Sequence, residues 1–574
     1  MLRRSAGLAR RTAPVLAGTL LALGATVPLV SPALACTGKR VVDAVLAHQP
    51  LHVAGWVTAE LALILAQLGA ARGLVTVRAL LGSRLAVAMS ALLARTATRL
   101  PCSLVESAEY QDRLARAQRE PAGRAVTVVA EALTVLQGAL ALGIYALILL
   151  RFSPWIGALL LLSALPVALV ELRASAEQVA AQDERTPEQR RAQYLEGLLL
   201  RPEHAREVRL LGLQESLLQR NTALGTAFYR ADRRLQLGAL WPALGAAALA
   251  PLTFYGSYGV LALLAARGQL GLGDLTLLAI AFHQAQMTLR SMVAAAKAGH
   301  EGALQLAGFF DFLALAGDDA APVGRSTVKV AGAPVLRCED LGFRYPGATG
   351  WALRHVSFSL TAGKSLAILG GNGSGKTTLV KLLTGLYEPA EGRVLLDGVD
   401  LRDWESTALR ARFGVLFQDF ARFQLSLREN LEAGLGGEVQ PEDALRAALR
   451  LAGADALPQA LPRGLDTQLG KHFEHGVELS GGQWQKVALA RVLTRTAADL
   501  LVLDEPTAAL DGSSQRLVFD RVRAMAGGRT VILISHHPDG VKLADQVLSL
   551  EGGRVVSLTT QAEAQGGQSH DAAA

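Results

Sequence analysis

The stretch that decides the fold of the C-terminal half is Ser365-Leu366-Ala367-Ile368-Leu369, followed at once by Gly370-Gly371-Asn372-Gly373-Ser374-Gly375-Lys376-Thr377-Thr378. The short apolar run reads as a buried strand. The glycine-rich stretch after it fits G-x-x-x-x-G-K-[ST], placed between a strand and a helix as that motif requires. Glycines there let backbone N–H groups cradle phosphates at a helix N-terminus. Lys376 would reach the β- and γ-phosphates of ATP, and Thr377 would hold Mg²⁺. A chance glycine-rich turn is the alternative, and the strand-turn-helix context argues against it.

Further on, Leu500-Leu501-Val502-Leu503 runs into Asp504-Glu505. A hydrophobic strand ending in two carboxylates is, taken alone, an ordinary structural feature. Paired with the phosphate loop it becomes a nucleotide site. Asp504 is placed to bind Mg²⁺, directly or through water, and Glu505 is the candidate general base or water-positioning group.

Between these two motifs stands Leu479-Ser480-Gly481-Gly482-Gln483, continuing Trp484-Gln485-Lys486-Val487-Ala488-Leu489-Ala490-Arg491. With it the chain resembles the ATP-binding cassette superfamily, whose signature motif this is. The resemblance implies further site residues, which occur in the family's order. Tyr345, in Phe343-Arg344-Tyr345-Pro346, matches the aromatic residue that stacks on adenine. Gln418, in Phe417-Gln418-Asp419, matches the loop that links Mg²⁺ to the membrane domain. Ala509-Leu510-Asp511 matches the loop across the dimer interface. His536, directly after the small Ser535, matches the switch histidine near the γ-phosphate.

The resemblance also implies how these residues work together. The signature motif opens a helix, so its backbone dipole and Ser480 suit the γ-phosphate of a nucleotide held by another subunit. Each site would take Lys376, Glu505 and His536 from one chain and Ser480 and Gly482 from its partner. Every consensus group is present here, so two copies would build two competent sites. A homodimer follows most simply; a heterodimer with a degenerate partner would look the same from this chain.

Working back toward the N-terminus, the composition changes. At 574 residues the chain is too long for one core, and roughly three or four domain-sized units are expected. Residues 1–313 are dominated by Ala and Leu in long uncharged runs, 314–334 read as a linker, 335–560 hold the α/β domain, and 561–574 read as a disordered tail. The expected fold is thus a multidomain one: a six-helix transmembrane exporter domain, then an α/β P-loop ATPase domain. The six apolar runs are Thr12–Gly38, Leu51–Ala71, two within 132–170, Leu235–Ala266, and one from Gly273 to about Ala296, each about as long as or longer than the roughly 20 residues a bilayer core needs. The first run, with Arg3, Arg4, Arg10 and Arg11 before it and Ala33-Leu34-Ala35 after, also resembles a secretory signal. The further apolar runs favour a membrane helix.

The net charge of +7 does not point to nucleic acid, because its distribution has another cause. The N-terminus, 72–130 and 171–234 hold 4, 9 and 11 Lys/Arg, whereas the three opposite loops hold only Lys39, Arg40, Arg151 and Arg267. The positive-inside rule then puts both termini in the cytoplasm of a multi-pass plasma-membrane protein. Cys36, Cys102 and Cys338 are far apart and suggest neither a disulfide framework nor a metal site.

Membrane domain followed by cassette resembles bacterial half-transporters of the exporter type, which implies a second half-transporter as partner and lipid as surroundings. Glu106–Leu114 and Ala205–Gly212 look like coupling helices, expected to dock near Gln418–Phe423. Leu469-Gly470-Lys471, Gly476-Val477-Glu478 and Gln483-Trp484-Gln485 are similar to exporters of ribosomally made peptides such as lantibiotics. Only eleven residues precede the first apolar run, so no cargo-trimming protease domain is expected. The cargo is read as a peptide or amphipathic small molecule moved outward. A lipid flippase or multidrug pump is the alternative within transport, and a nucleotide-gated sensor or channel the alternative outside it. His283, Gln286 and Arg290 share one face of the sixth helix, with Glu60 in the second. They are a candidate cargo path, or else an internal ion pair or snorkelling side chains.

Overall fold

Two kinds of hydrophobic pattern produce two kinds of architecture in this chain. A computed structural model describes residues 1–118, 120–152, 170, 186–315, 335–506, 528–535, 541–542 and 544–560. The chain divides into two compact units, 1–98 with 112–316, and 99–111 with 317–574.

The first unit is helical: α1 (Leu2–Thr12), α2 (Pro14–Leu46), α3 (Pro50–Ala97), and, after the short α4 (Cys102–Val105) of the other unit, α5 (Ala108–Ala117), α6 (Pro121–Phe152), α7 (Thr186–Leu200), α8 (Pro202–Leu210), α9 (Gln214–Ala266) and α10 (Leu272–Ala314). Leu20, Leu81, Leu85, Met89, Leu133 and Phe309 form one buried cluster, and Tyr145, Leu149, Leu278 and Phe282 another. Leu61, Leu65, Leu140, Leu147 and Leu252 stay exposed, as lipid-facing leucines would. Small residues bring the helices close: Gln137 on α6 donates to the Gly24 carbonyl of α2 at 2.8 Å, and a Cβ at Gly138 would collide with Met292 of α10.

Among the described residues, α2, α3, α6 and α9 are long and apolar enough to cross a membrane. The expected fourth span lies outside the described residues. The expected sixth is α10, 43 residues long, but its polar residues keep it below the apolarity of the other four. At about 1.5 Å per residue, the 53 residues of α9 measure about 80 Å, far more than a bilayer of about 30 Å. These helices therefore outrun any membrane they cross.

The second unit is α/β. Strand β1 (Leu336–Phe343) pairs with β2 (Leu353–Leu360) and β4 (Glu391–Leu396), and β4 with β5 (Val399–Asp400), all antiparallel. The larger sheet has the order β10-β9-β3-β8-β7-β6, from β3 (Ser365–Leu369), β6 (Phe413–Leu416), β7 (Leu500–Asp504), β8 (Thr530–Ile534), β9 (Gln546–Glu551) and β10 (Arg554–Thr560). All its neighbours run parallel except β10. Strand β7 is buried along its whole length, as parallel strands covered on both faces are. Successive side chains point to opposite faces, so Leu500 and Val502 enter the core with the antiparallel sheet while Leu501 and Leu503 enter a second core. That second core contains Leu431 of α13 (Leu427–Glu432), Leu445 of α14 (Glu442–Leu451) and Trp484 of α16 (Gly481–Leu493). Among the described residues, the remaining α-helices of this unit are α11 (Lys376–Leu383), α12 (Ser406–Arg412) and α15 (Leu457–Ala460).

Arg412, at the end of α12, joins distant pieces of this unit. Its guanidinium donates to Asp499 before β7 at 2.8 and 2.9 Å and to Asp397 after β4 at 3.0 Å, with only 13% of the side chain exposed. Asp397 in turn accepts from the Val335 N–H at 2.9 Å. Breaking a buried pair from one side strands the partner charge and costs about 3–5 kcal/mol. Arg412→Ala should therefore lower the unfolding midpoint of the cassette in calorimetry by that equivalent, while Arg410→Ala, on an exposed side chain, leaves it unchanged.

Candidate functional site

The carboxyl ends of parallel strands are where open α/β sheets bind ligands. Here β3 ends in the glycine loop, β7 ends in Asp504, and β8 lies between them in the sheet. The loop needs its glycines for identifiable reasons. Gly370, Gly373 and Gly375 have φ of 153°, 77° and 100°. A Cβ at Gly370 would strike the Leu550 carbonyl and the Ser374 hydroxyl, and one at Gly375 would lie 2.6 Å from Leu353. At Gly371 and Gly373 nothing described lies within 4 Å, so this side of the loop is open.

The loop fits a phosphate chain. Lys376, 8% exposed, folds back to donate to the carbonyls of Gly370 and Gly371 at 2.7 and 2.9 Å. These acceptors hold the ammonium at the loop, where an anion would replace them. The Ser374 hydroxyl is buried without a hydrogen-bond partner, an orphan that a phosphate oxygen would satisfy. Asn372 is exposed at the loop tip.

Thr377 and Asp504 meet at 3.4 Å. Asp504 is only 2% exposed. Burial, then the neighbouring Glu505 and Asp419, push its carboxyl up to about 6, against the opposing pull of Thr377 and Lys376. A cation between Thr377 and Asp504 would remove that penalty, so the oxygen donors present fit Mg²⁺.

Glu505 is held from several sides. Its backbone lies in the left-handed region at φ 49°, unusual for a residue with a side chain. Its N–H donates to the Ile534 carbonyl at 3.0 Å, its carbonyl accepts from Gln485 Nε2 at 3.0 Å, and its carboxylate accepts from Gln418 Nε2 at 2.9 Å. Two of the expected site residues, Gln418 and Glu505, are thus in direct contact. The sequence gives Gln485 no such role, because there it is one more polar residue on a helix.

Ser480, Gly481, Gly482 and Gln483 are placed elsewhere. Ser480 caps α16: its hydroxyl accepts from the Gln483 N–H at 3.3 Å, and Gln483 accepts from the Ser480 N–H at 2.9 Å. Ser480 and Gly481 are exposed, and the Ser480 hydroxyl keeps its proton to donate. This cap is open to solvent at Ser480 and Gly481 and has no described hydrogen bond to the Lys376 loop. Tyr345 is half-buried; its hydroxyl lies 2.9 Å from that of Thr378, and its ring meets Phe343 and Tyr387 edge-on. His536 and Ala509-Leu510-Asp511 lie outside the described residues.

Residues 353–508 match the family model described as ABC transporter. The C-terminal unit is an ABC transporter ATPase domain. This cassette is 38% identical over 225 residues to the subtilin transport ATP-binding protein SpaT of Bacillus subtilis, covering 39% of this chain and 36% of that protein. It is 39% identical over 228 residues to an ATP-dependent lipid A-core flippase of Thiobacillus denitrificans, covering 40% and 38%. It is 42% identical over 236 residues to the mycobactin import ATP-binding/permease protein IrtB of Mycolicibacterium thermoresistibile, covering 41% and 39%. The matched stretch thus spans well under half the length of each relative. The fold as a whole is that of a bacterial Atm1-family ABC exporter solved with ATP bound: TM-score 0.75 at 23% identity, covering 99% of this chain and 97% of that one.

Nucleotide binding by the cassette should disappear in Lys376→Ala, measured with a fluorescent ATP analogue. Gln418→Ala should leave that binding within about twofold but slow hydrolysis by about 10- to 100-fold, since it removes one hydrogen bond to the Glu505 carboxylate without touching the phosphate loop. Equal loss of binding and turnover would show that Gln418 acts elsewhere.

Proposed function

We propose that this chain is one half of an ATP-driven exporter, a multi-pass plasma-membrane protein with both termini in the cytoplasm, that works as a homodimer on amphipathic or peptide cargo. The observation that carries the reading is the division of the site. Lys376, Thr377, Asp504, Glu505 and Gln418 converge, while at the capped start of α16 Ser480, Gly481 and Gln483 stand exposed and Gly482 partly so, with a donor to spare. A second copy supplies what the first leaves incomplete.

Each residue then has a task. Tyr345 offers its ring to adenine, and Gly370–Gly375 with Thr378 surround the phosphates. Lys376 turns from the loop carbonyls to the β/γ-phosphates. Thr377, Asp504 and Gln418 would hold Mg²⁺, and the ion would supply charge stabilisation. Glu505 orients a water and takes its proton as the water oxygen bonds to the γ-phosphorus and the bond to the β-phosphate oxygen breaks. His536 and the partner's α16 complete the set of donors around the γ-phosphate. Hydrolysis removes the group that joins the two cassettes.

On the cargo side, the face drawn from His283, Gln286 and Arg290 divides. Gln286 is buried and donates to Thr253 of α9 at 3.2 Å, whereas His283 and Arg290 are exposed. A cavity of about 460 Å³ lies further along α10, lined by Ala294, Lys297, Ala298 and Glu301 with Ala239 and Ala243 of α9. It extends the polar face and gives charged or zwitterionic cargo a place to bind. The names of the similar cassettes include a peptide transporter, a flippase and an importer, so lipid movement is the second reading.

The test is ATPase activity of the chain in lipid nanodiscs, titrated with peptides encoded near its gene and then with lipids and lipophilic drugs. Stimulation by a peptide, lost in Glu505→Gln, is expected. Stimulation by lipids or drugs alone would turn the reading to a flippase or multidrug pump. A Glu505→Gln chain that stays monomeric with ATP would remove the homodimer.

A further inference from the structure

We propose that Gln485 is a positioning residue that ties the two nucleotide sites of a dimer together, by joining the signature helix of a chain to that chain's own Glu505. The dimer part of this inference rests on the function proposed above.

The residue stands at a boundary between two sites. Helix α16 begins with the exposed Ser480 cap, which serves a nucleotide held by the partner. Little more than a turn later along the same helix, Gln485 is buried at 4% exposure and donates from Nε2 to the Glu505 carbonyl at 3.0 Å. Glu505 belongs to the other site, that of its own phosphate loop, through the neighbouring Asp504 and its contact with Thr377. A helix of 13 residues moves as a rigid element over such a short distance. Engagement of its N-terminus by one γ-phosphate therefore reaches the backbone of the residue that faces the second.

Glu505 is suited to register such a pull. Its left-handed backbone, φ 49°, is a sparsely populated state that persists only where neighbours hold it. Two of the described hydrogen bonds act on that backbone, from its N–H to Ile534 and to its carbonyl from Gln485. The first belongs to the sheet and is fixed. The second belongs to α16 and moves with it. Loosening the second lets the peptide rotate, and the carboxylate on Gln418 leaves its position. The same hydrogen bond that aims Glu505 is thus the one that senses the opposite nucleotide.

The test uses the full chain in nanodiscs with Gln485→Met, which keeps length and helix propensity but has no donor, and Gln485→Glu, whose carboxylate opposes the Glu505 carbonyl. Steady-state hydrolysis over a range of ATP gives kcat, KM and the Hill coefficient. Both variants should lose about 10- to 100-fold in kcat, hold KM within twofold, and bring the Hill coefficient from above 1 to about 1. ATP affinity measured in the Glu505→Gln background should not change. Unchanged kcat, or kcat and ATP affinity falling together with the melting temperature, would overturn the positioning role. A lower kcat with an unchanged Hill coefficient, in a chain that dimerises with ATP, would overturn the link between sites alone. A chain that never dimerises with ATP would overturn that link together with the dimer, and kcat at constant KM would still decide the role of Gln485 toward Glu505.

Discussion

The cassette is organised around a carboxylate that the fold makes unfavourable. Asp504 closes a fully buried strand, is 2% exposed, and has Glu505 next to it in sequence. An acid so placed resists ionisation, and its carboxyl rises to about 6. The arrangement is tolerable because Lys376 and Thr377 come from the loop after β3, two strands away across the sheet. In the function proposed above, a magnesium nucleotide would bring positive charge to Asp504 and negative charge to Lys376 in one molecule.

The second organising element is α16, which acts at both ends. Near its start Gln485 holds Glu505. Near its finish Arg491 donates to the Asn430 carbonyl at 3.0 Å, the Asn430 side chain at 2.7 Å and the Ala421 carbonyl at 3.0 Å, with its guanidinium over the Phe423 ring. Burial pulls this arginine down to about 10, so it stays a cation at neutral pH. Asn430, wholly buried, donates to the carbonyls of Phe423, Leu425 and Ser426. The loop after Gln418 is thereby wrapped on the helix that carries Gln485. Two of the side chains in contact with Glu505, Gln485 and Gln418, are thus tied to the same helix.

How much of this is legible in the sequence depends on the chemistry of each part. The phosphate loop is legible because backbone close to phosphate demands glycine, and Gly370 and Gly375 leave no room for a Cβ. Asp504 and Glu505 are legible because two acids after an apolar run have few other uses once such a loop is present. Gln485 is not, because its function is one hydrogen bond to a backbone carbonyl, which leaves no pattern in residue type. The left-handed Glu505 is not, since nothing in Asp-Glu-Pro specifies it. In the helical unit the Ala- and Leu-rich runs announce membrane helices readily, but α10 trades apolarity for polar groups at 283, 286, 290, 297 and 301, and hydropathy loses its edge there.

The segment 99–111 shows a further limit. It sits in sequence between α3 and α5, and reading by sequence order assigns it to the helical domain with a docking surface at Gln418–Phe423. In the structure it clusters with the cassette. Glu106 accepts from Lys381 at 3.0 and 3.1 Å and from the Tyr387 hydroxyl. Lys381 lies on α11, the helix that begins at the phosphate loop, and Tyr387 meets Tyr345 edge-on. The Tyr345 hydroxyl in turn touches Thr378. Among the described residues, the hydrogen bonds of Glu106 thus run to Lys381 and Tyr387, beside the helix that follows the glycine loop. Tyr387 bonds Glu106 through its hydroxyl and packs on Tyr345 through its ring, so a shift of one of these partners is felt by the other through a single side chain. Charge patterning alone could not disclose this, because an exposed Glu on a short helix has the same appearance whether it faces water or a lysine 275 residues away.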